Sequence, residues 1–264
     1  MEVCSVQETV DLAFWQLGVA YLFVLLLIAI VRMKGIPREK EIGIASIRMV
    51  LQLILVGYLL EYVFRFSHPA LTVLLVAVML TFAIRTVFKR EKGKLSRQMK
   101  RIIAISMSSG IIASLAVFIL VVVGMKPWYD PRYVIPITGM IIGNSMTGIA
   151  LGLHSMIENM QAQKAKVEAA LMLGATPGTA ARDIVNQAFD AAMLPTINSM
   201  VGMGIISLPG MMTGQILSGT SPIVAVEYQI AIMLGIVGSV SLSVLLFLQL
   251  GYRTFFNHRS QLRK

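Results

Sequence analysis

Apolar residues run through this chain in long unbroken blocks, separated by short polar stretches. Seven runs, at about residues 10–31, 42–63, 69–88, 102–124, 133–153, 193–217 and 223–250, are long enough to cross roughly 30 Å of hydrocarbon as helices. A spanning sheet would have to close into a barrel of alternating segments of about ten residues, whereas these runs are continuous. The pattern predicts an all-α integral membrane protein of about seven transmembrane helices, organised as a single transmembrane domain over residues 1–264.

One polar island stands out between the fifth and sixth runs, at about 154–192. Its first part carries Glu158, Gln161, Gln163, Lys164 and Lys166, all compatible with the fifth helix continuing beyond the membrane. Within it, Glu168-Ala169-Ala170-Leu171-Met172-Leu173-Gly174-Ala175-Thr176-Pro177 reads as a helix, a glycine turn and a second helix beginning near Pro177. A compact helical hairpin just outside a membrane is suited to being gripped by a soluble partner.

The charges orient the chain. Nineteen of the 23 Lys and Arg residues fall on one side. They are Arg32, Lys34, Arg38 and Lys40; then Arg85, Lys89, Arg90, Lys92, Lys94, Arg97, Lys100 and Arg101; then Lys164, Lys166 and Arg182; and finally Arg253, Arg259, Arg263 and Lys264. The other side holds Arg65, Lys126 and Arg132. The positive-inside rule therefore predicts an N-terminus outside and a C-terminus in the cytoplasm, with the hairpin cytoplasmic. The first run is expected not to be a cleaved signal, because Glu2, Glu8 and Asp11 precede it where a signal would be basic.

Composition agrees and narrows the chemistry. Hydrophobic residues make up 56% and charged residues 14%, against about 25% charged in a typical soluble domain. The net charge of +10 follows the topology and is not a nucleic-acid footprint. The single cysteine, Cys4, excludes an internal disulfide framework. His68, His154 and His258 fall in separate regions and do not converge on a metal. Eighteen methionines, among them Met140, Met146, Met200, Met203, Met211 and Met212 on the fifth and sixth runs, are either soft-metal ligands or, as the commoner case, apolar filler in lipid-facing helices. No phosphate-binding loop is present, since Gly174-Ala-Thr-Pro-Gly178 lacks the Gly-Lys-Ser/Thr ending. No catalytic grouping can be assembled, so the chain is expected not to be an enzyme.

Glycine concentrates in the second half. Gly139, Gly143, Gly148 and Gly152 mark the fifth run, and Gly202, Gly204, Gly210 and Gly214 the sixth. Small residues at such spacing let helix backbones approach closely. The stretch Ser207-Leu208-Pro209-Gly210-Met211-Met212 predicts a helix break, either a packing kink or a place where backbone groups meet a substrate. Arg48 and Gln52 share a face of the second run; Arg48 either snorkels to the cytoplasmic interface or faces the bundle interior. Asn144, Thr147, Asn198 and Gln215 either hydrogen-bond between helices or line a polar path, and Glu227 and Gln229 sit near the outer end of the last run.

Glu168-Ala169-Ala170 followed by Gly174-Ala175 resembles the "EAA" cytoplasmic loop of ABC-transporter permeases. In many importers Ile-x-Leu-Pro follows; here Ile184 is present, but Asn186-Gln187 stand where Leu-Pro would be, which departs from an ordinary importer. A fuller resemblance is carried by Arg48-x-x-x-Gln52 with Gly57-Tyr58, by Ile135-Pro136-Ile137-x-Gly139-Met140-Ile141-x-Gly143-Asn144, by Leu173-Gly-Ala-Thr-Pro177 and by Ser207-Leu-Pro-Gly-Met-Met212. Together these are similar to the FetB permease family, the UPF0014 group. The resemblance implies a permease in the cell (inner) membrane that binds no cofactor of its own, with ATP and Mg bound in a separate FetA-like ATPase. It further implies two copies of each subunit and export of iron, another metal or a metal complex.

On that resemblance Glu168, Ala169, Ala170, Leu171, Leu173, Gly174, Ala175 and Pro177 couple to the ATPase. Arg48, Gln52, Asn144, Asn198, Ser207, Pro209 and Gly210 are the expected translocation path. The rival expectation is a self-contained carrier or channel driven by an ion gradient, for which the sequence offers few embedded titratable groups beyond Arg48 and Glu227.

Overall fold

The computed structural model describes residues 13–90, 95–257 and 259–262. The expectations that rest on Glu2, Cys4, Glu8, Asp11, Lys92, Lys94, His258, Arg263 and Lys264 lie outside the described residues. The described chain is helical almost throughout: α1 (Phe14–Met33), α2 (Glu39–Arg65), α3 (Pro69–Arg90), α4 (Arg97–Val117, continued as a π-helix over Phe118–Val123), α5 (Pro131–Ala162), α6 (Lys164–Met172), α7 (Pro177–Ala180), α8 (Arg182–Gly202), α9 (Gly210–Leu217) and α10 (Pro222–Gly251). No strand forms among the described residues.

Six of these helices are long and apolar enough to cross a bilayer: α1, α2, α3, α4 with its extension, α5 and α10. The sixth predicted run, 193–217, is not one helix. It divides into the end of α8 and the short α9, separated by Met203–Pro209. Gly204 takes the left-handed conformation at φ 87° and Pro209 has no N–H to extend a helix backwards, so the chain turns instead of continuing. The other predicted runs fall within α1 to α5 and α10 to within a few residues, where described. The fifth helix continues to Ala162, as its polar extension predicts.

The chain divides into two compact units. One comprises Met1–Ser67 with Leu217–Gly219, the other His68–Ile216 with Thr220–Lys264. In the first, α1 and α2 form an antiparallel pair, and the Tyr21 hydroxyl donates to the Ser46 carbonyl at 3.3 Å.

In the second unit α4, α5, α8 and α10 build the core, with α3 against α5. Its centre is packed by Ile103, Met107, Ile111, Ile137, Ile141, Ile149, Leu153, Ile232 and Phe247, all fully buried. Two close approaches set its geometry. A Cβ at Gly110 on α4 would lie 2.9 Å from the Ser243 Cα and backbone nitrogen on α10. A Cβ at Gly148 on α5 would lie 2.9 Å from a Val240 methyl and 3.3 Å from the Ala192 carbonyl of α8. Backbones this near gain dispersion contacts that lipid cannot supply.

The glycines at 139, 148 and 152 do contact neighbouring elements, but Gly143, Gly210 and Gly214 face open space. Tyr133 in the first turn of α5 and Tyr228 in the second turn of α10 meet with ring centres 6.2 Å apart and planes tilted by 44°, near an exposed Trp128. Amphipathic rings gathered at one end of crossing helices are suited to the membrane–water boundary.

Candidate functional site

The polar island folds as the sequence predicts, into a helix, a glycine turn and a second helix. α6 ends in a Schellman motif: the Ala175 N–H donates to the Ala170 carbonyl and the Gly174 N–H to the Leu171 carbonyl, both at 3.0 Å. Gly174 sits at φ 90°, where a side chain would be strained. Thr176 then caps α7, accepting from the Thr179 N–H at 3.3 Å, and Pro177 occupies the first helical position.

This turn presents apolar side chains to solvent. Met172 is 86% exposed and Leu173 is 89% exposed, the pair forming a bare apolar tip. Met172 is absent from the expected coupling set, yet it is as bare as Leu173. Ala169 and Gly174 are exposed as well, while Ala170, Leu171, Ala175 and Pro177 are half-buried. Glu168 turns back to Lys164 one turn earlier, at 3.7 Å.

The root of the hairpin is held firmly. Val167 on α6 and Ala181 and Ile184 at the start of α8 are buried in the main core cluster. Lys166 Nζ meets Asp183 Oδ2 at 2.9 Å, and the Gln163 amide donates to Gln187 Oε1 at 3.2 Å. The Lys166 ammonium, by hydrogen bond and by charge, holds the Asp183 carboxyl below its ordinary value. A Cβ at Gly178 on α7 would come within 3.3 Å of the Tyr252 hydroxyl, so the far side of the hairpin lies against the end of α10. These tertiary partners carry no signal in the local sequence.

The expected path residues fall in both units. In the first, Arg48 and Gln52 do share a face of α2, lining a shallow groove of about 560 Å³ with Glu41, Ala45 and Met49. In the second, Asn144 on α5 is half-buried and folds back, its amide donating to the Met140 carbonyl at 2.8 Å. Asn198 on α8 is exposed. Contacts of Gly148 and Gly152 with Ala188 and Ala192 fix an antiparallel register that places Asn144 and Asn198 at the same level of the bundle.

Ser207, Pro209 and Gly210 lie in the break after α8. There the Gly204 N–H donates to the Ser207 carbonyl at 2.9 Å, and the Ser207 N–H to the Gly202 carbonyl at 3.1 Å. The Pro209 carbonyl accepts from the Thr213 N–H at 3.0 Å and its hydroxyl at 3.1 Å, which starts α9.

Gln229, expected near the outer end of the last run, is buried; its amide faces Met203 Sδ at 3.9 Å while Oε1 has no partner. Ser145 and Ser239 share a buried hydrogen bond of 3.1 Å between α5 and α10. The hydroxyls of Ser106, Thr138 and Ser243 are buried without a partner. Among the described residues the core of the second unit thus holds four buried side-chain polar atoms without a partner, whereas most buried polar groups are satisfied. Among the described residues no group of three or more His, Cys, Asp or Glu gathers to hold a metal.

The sequence of this chain matches a known family. The model of the Uncharacterised protein family UPF0014 covers residues 14–256. The chain belongs to the UPF0014 family. Among its UPF0014 relatives, the membrane protein slr1647 of Synechocystis is 36% identical over 89% of this chain and 90% of its own length. The "Probable iron export permease protein FetB" of Escherichia coli is 35% identical over 93% of both chains. "Protein ALUMINUM SENSITIVE 3" of Arabidopsis thaliana is 32% identical over 92% of this chain and 88% of its own. No solved structure matches this UPF0014 chain significantly.

Proposed function

We propose that the chain is the membrane-spanning permease subunit of an ABC transporter that exports iron, another metal or a metal complex, driven by ATP hydrolysed in a separate subunit. The observation that carries the reading is the hairpin: a bare Met172–Leu173 tip on a root buried in the bundle core. A soluble ATPase can seat apolar side chains of this kind in a groove, and the buried root transmits the resulting movement to α5 and α8. Family membership and the name of the FetB relative support a transport role and supply the metal class.

In this reading the hairpin lies in the cytoplasm, as the basic residues indicate. Closure of two ATPase subunits moves two hairpins, and the glycine seams of α5 against α8 and α10 let those helices rock between inward-facing and outward-facing arrangements. Asn144, Asn198 and the break at Pro209 border the path. The break supplies backbone carbonyls and hydroxyls, oxygen ligands that suit a cation held loosely enough to leave.

The test is co-expression with the candidate ATPase. The wild type should co-purify with it and stimulate its ATP hydrolysis, and Gly174→Pro, which destroys the Schellman turn, should do neither. A folded Gly174→Pro protein that still binds and stimulates the ATPase would overturn the docking assignment.

A further inference from the structure

Among the described residues Gln229 is the one side-chain amide buried in the protein, at 5% exposure. It shares a face of α10 with Ile232, Met233 and Ile236, which belong to the core cluster of the second unit. Its burial therefore comes from its own unit. An apolar side chain there would leave no acceptor unmet, yet Gln229 Oε1 is buried without a partner.

Two further groups stand at the same level. The Gln229 amide nitrogen faces Met203 Sδ, in the break after α8, at 3.9 Å. Thr138 on α5 is fully buried, and its hydroxyl has no partner either. Its level follows from two contacts between α5 and α10, the Tyr133–Tyr228 ring pair and the Ser145–Ser239 hydrogen bond. Both set a residue of α5 beside one about 94 positions later, which places Thr138 about one turn from Gln229. Thr138 lies two turns before Ser145 and so on the same side of α5, the side that meets α10. The contacts of Gly148 with Ala192 and of Gly152 with Ala188 set Met203 level with about residue 137 of α5. Three separate registers thus bring Thr138, Met203 and Gln229 together.

The set holds an amide oxygen, a hydroxyl oxygen and a thioether sulfur, all neutral acceptors. The terminal torsion of a glutamine is soft, and a half-turn puts Oε1 where the nitrogen now stands, 3.9 Å from the sulfur. Oxygen and sulfur ligands of one tetrahedral metal ion lie about 3.6 Å apart. Hard ions such as Mg²⁺ take all-oxygen shells, whereas a thioether favours a softer metal. With no carboxylate in the set, the ion is held loosely enough to pass on. The other unpartnered serine of α10 differs: Ser243 lies hard against the Gly110 backbone, which leaves no room for an ion.

We propose that Gln229, Met203 and Thr138 coordinate the transported substrate, a borderline or soft transition-metal cation such as Fe²⁺ or Cu⁺. The proposal rests on the permease reading and gives its cargo a chemical class and a site. It also gives the hairpin a target. Met203 directly follows α8, which begins at the hairpin, whereas Gln229 is on α10. Movement along α8 parts the thioether from the amide and releases the ion.

The test uses the purified full chain in detergent, equilibrated without oxygen with Fe²⁺ or Cu⁺ alone, and counts bound metal. Met203→Leu and Gln229→Leu should each weaken binding by about tenfold or more, since even outer-shell partners of a metal matter on that scale. Ser106→Ala, which removes another buried unpartnered hydroxyl, should leave binding unchanged, and excess Mg²⁺ should not displace the metal. Gln229→Glu keeps the shape and supplies a carboxylate. It should bind more tightly, and its melting temperature should rise when metal is added, a gain that misfolding does not produce.

The proposal is overturned if Met203→Leu and Gln229→Leu bind both metals as the wild type does. It is equally overturned if Gln229→Glu melts lower and added metal does not raise its melting temperature, which would make the amide purely structural. Co-purification with the ATPase, measured on the same preparations, separates the two ideas. A chain that binds the ATPase but whose metal binding ignores these substitutions loses this site alone. Metal binding that follows them in a chain that never binds the ATPase keeps the site and removes the permease reading.

Discussion

Lys166 and Asp183, on opposite arms of the hairpin, meet at 2.9 Å and tie α6 to the first turn of α8. Their side chains are two-thirds exposed, so the pair is screened and contributes little to global stability. It acts on the angle between the arms. Lys166→Ala is expected to leave the melting temperature nearly unchanged while lowering ATPase stimulation. Parallel thermal and ATPase assays check this.

The same pair has a defined pH dependence. The Asp183 carboxyl titrates below its ordinary value of 3.8 because the charged form is favoured in the folded hairpin. Its stabilising contribution is therefore present above 3.8 and is lost as the pH falls through the lowered value. Amide hydrogen exchange across residues 164–187 should be flat from neutral pH to about pH 5, after correction for intrinsic rates, and show loosening only under stronger acid. Asp183→Asn should remove that acid-induced change.

Gly174 answers to backbone conformation alone. Its φ is 90° and nothing lies within 4 Å of a built Cβ, so Gly174→Ala meets strain without a clash. A cost of about 1–2 kcal/mol is expected for an ordinary L-residue in the left-handed region, and less for Gly174→Asn. Chemical or thermal unfolding in detergent, followed with the ATPase assay, should rank glycine, asparagine and alanine in that order.

The core glycines should separate cleanly. Gly110→Ala places a methyl group 2.9 Å from the Ser243 backbone and should destabilise by about 1–3 kcal/mol, the range for overpacked cores. Gly143→Ala, with open space around it, should be tolerated. Melting temperatures in detergent decide the comparison, and equal losses would mean that α4 and α10 do not pack as described.

The helices and the hairpin were legible because both depend on local signals. Long apolar runs set the lengths, Gly174-Ala-Thr-Pro177 carries its own turn chemistry, and Pro209-Gly210 marks a break. The extent of the break was not legible: the helix stops seven residues earlier, at Gly202, where Gly204 reverses the backbone. Spacing assigned Gly143 to a packing face, but only Gly148 and Gly152 meet α8, since a periodic pattern does not show which neighbour occupies which face. The burial of Gln229 and the Ser145–Ser239 bond depend on residues far apart in sequence. The exposed tip at Met172 follows from the turn geometry, which aims the end of α6 away from the core.

The central claim is that ATP hydrolysis in a partner drives transport through this chain. Inside-out vesicles containing both subunits test it most directly, with iron and other candidate metals offered outside. The account predicts ATP-dependent accumulation that is abolished when hydrolysis is blocked and strongly reduced by Leu173→Asp, which places a carboxylate on the bare tip. Accumulation driven by a proton gradient in vesicles with this chain alone, unchanged by ATP, would contradict it and favour a self-contained carrier.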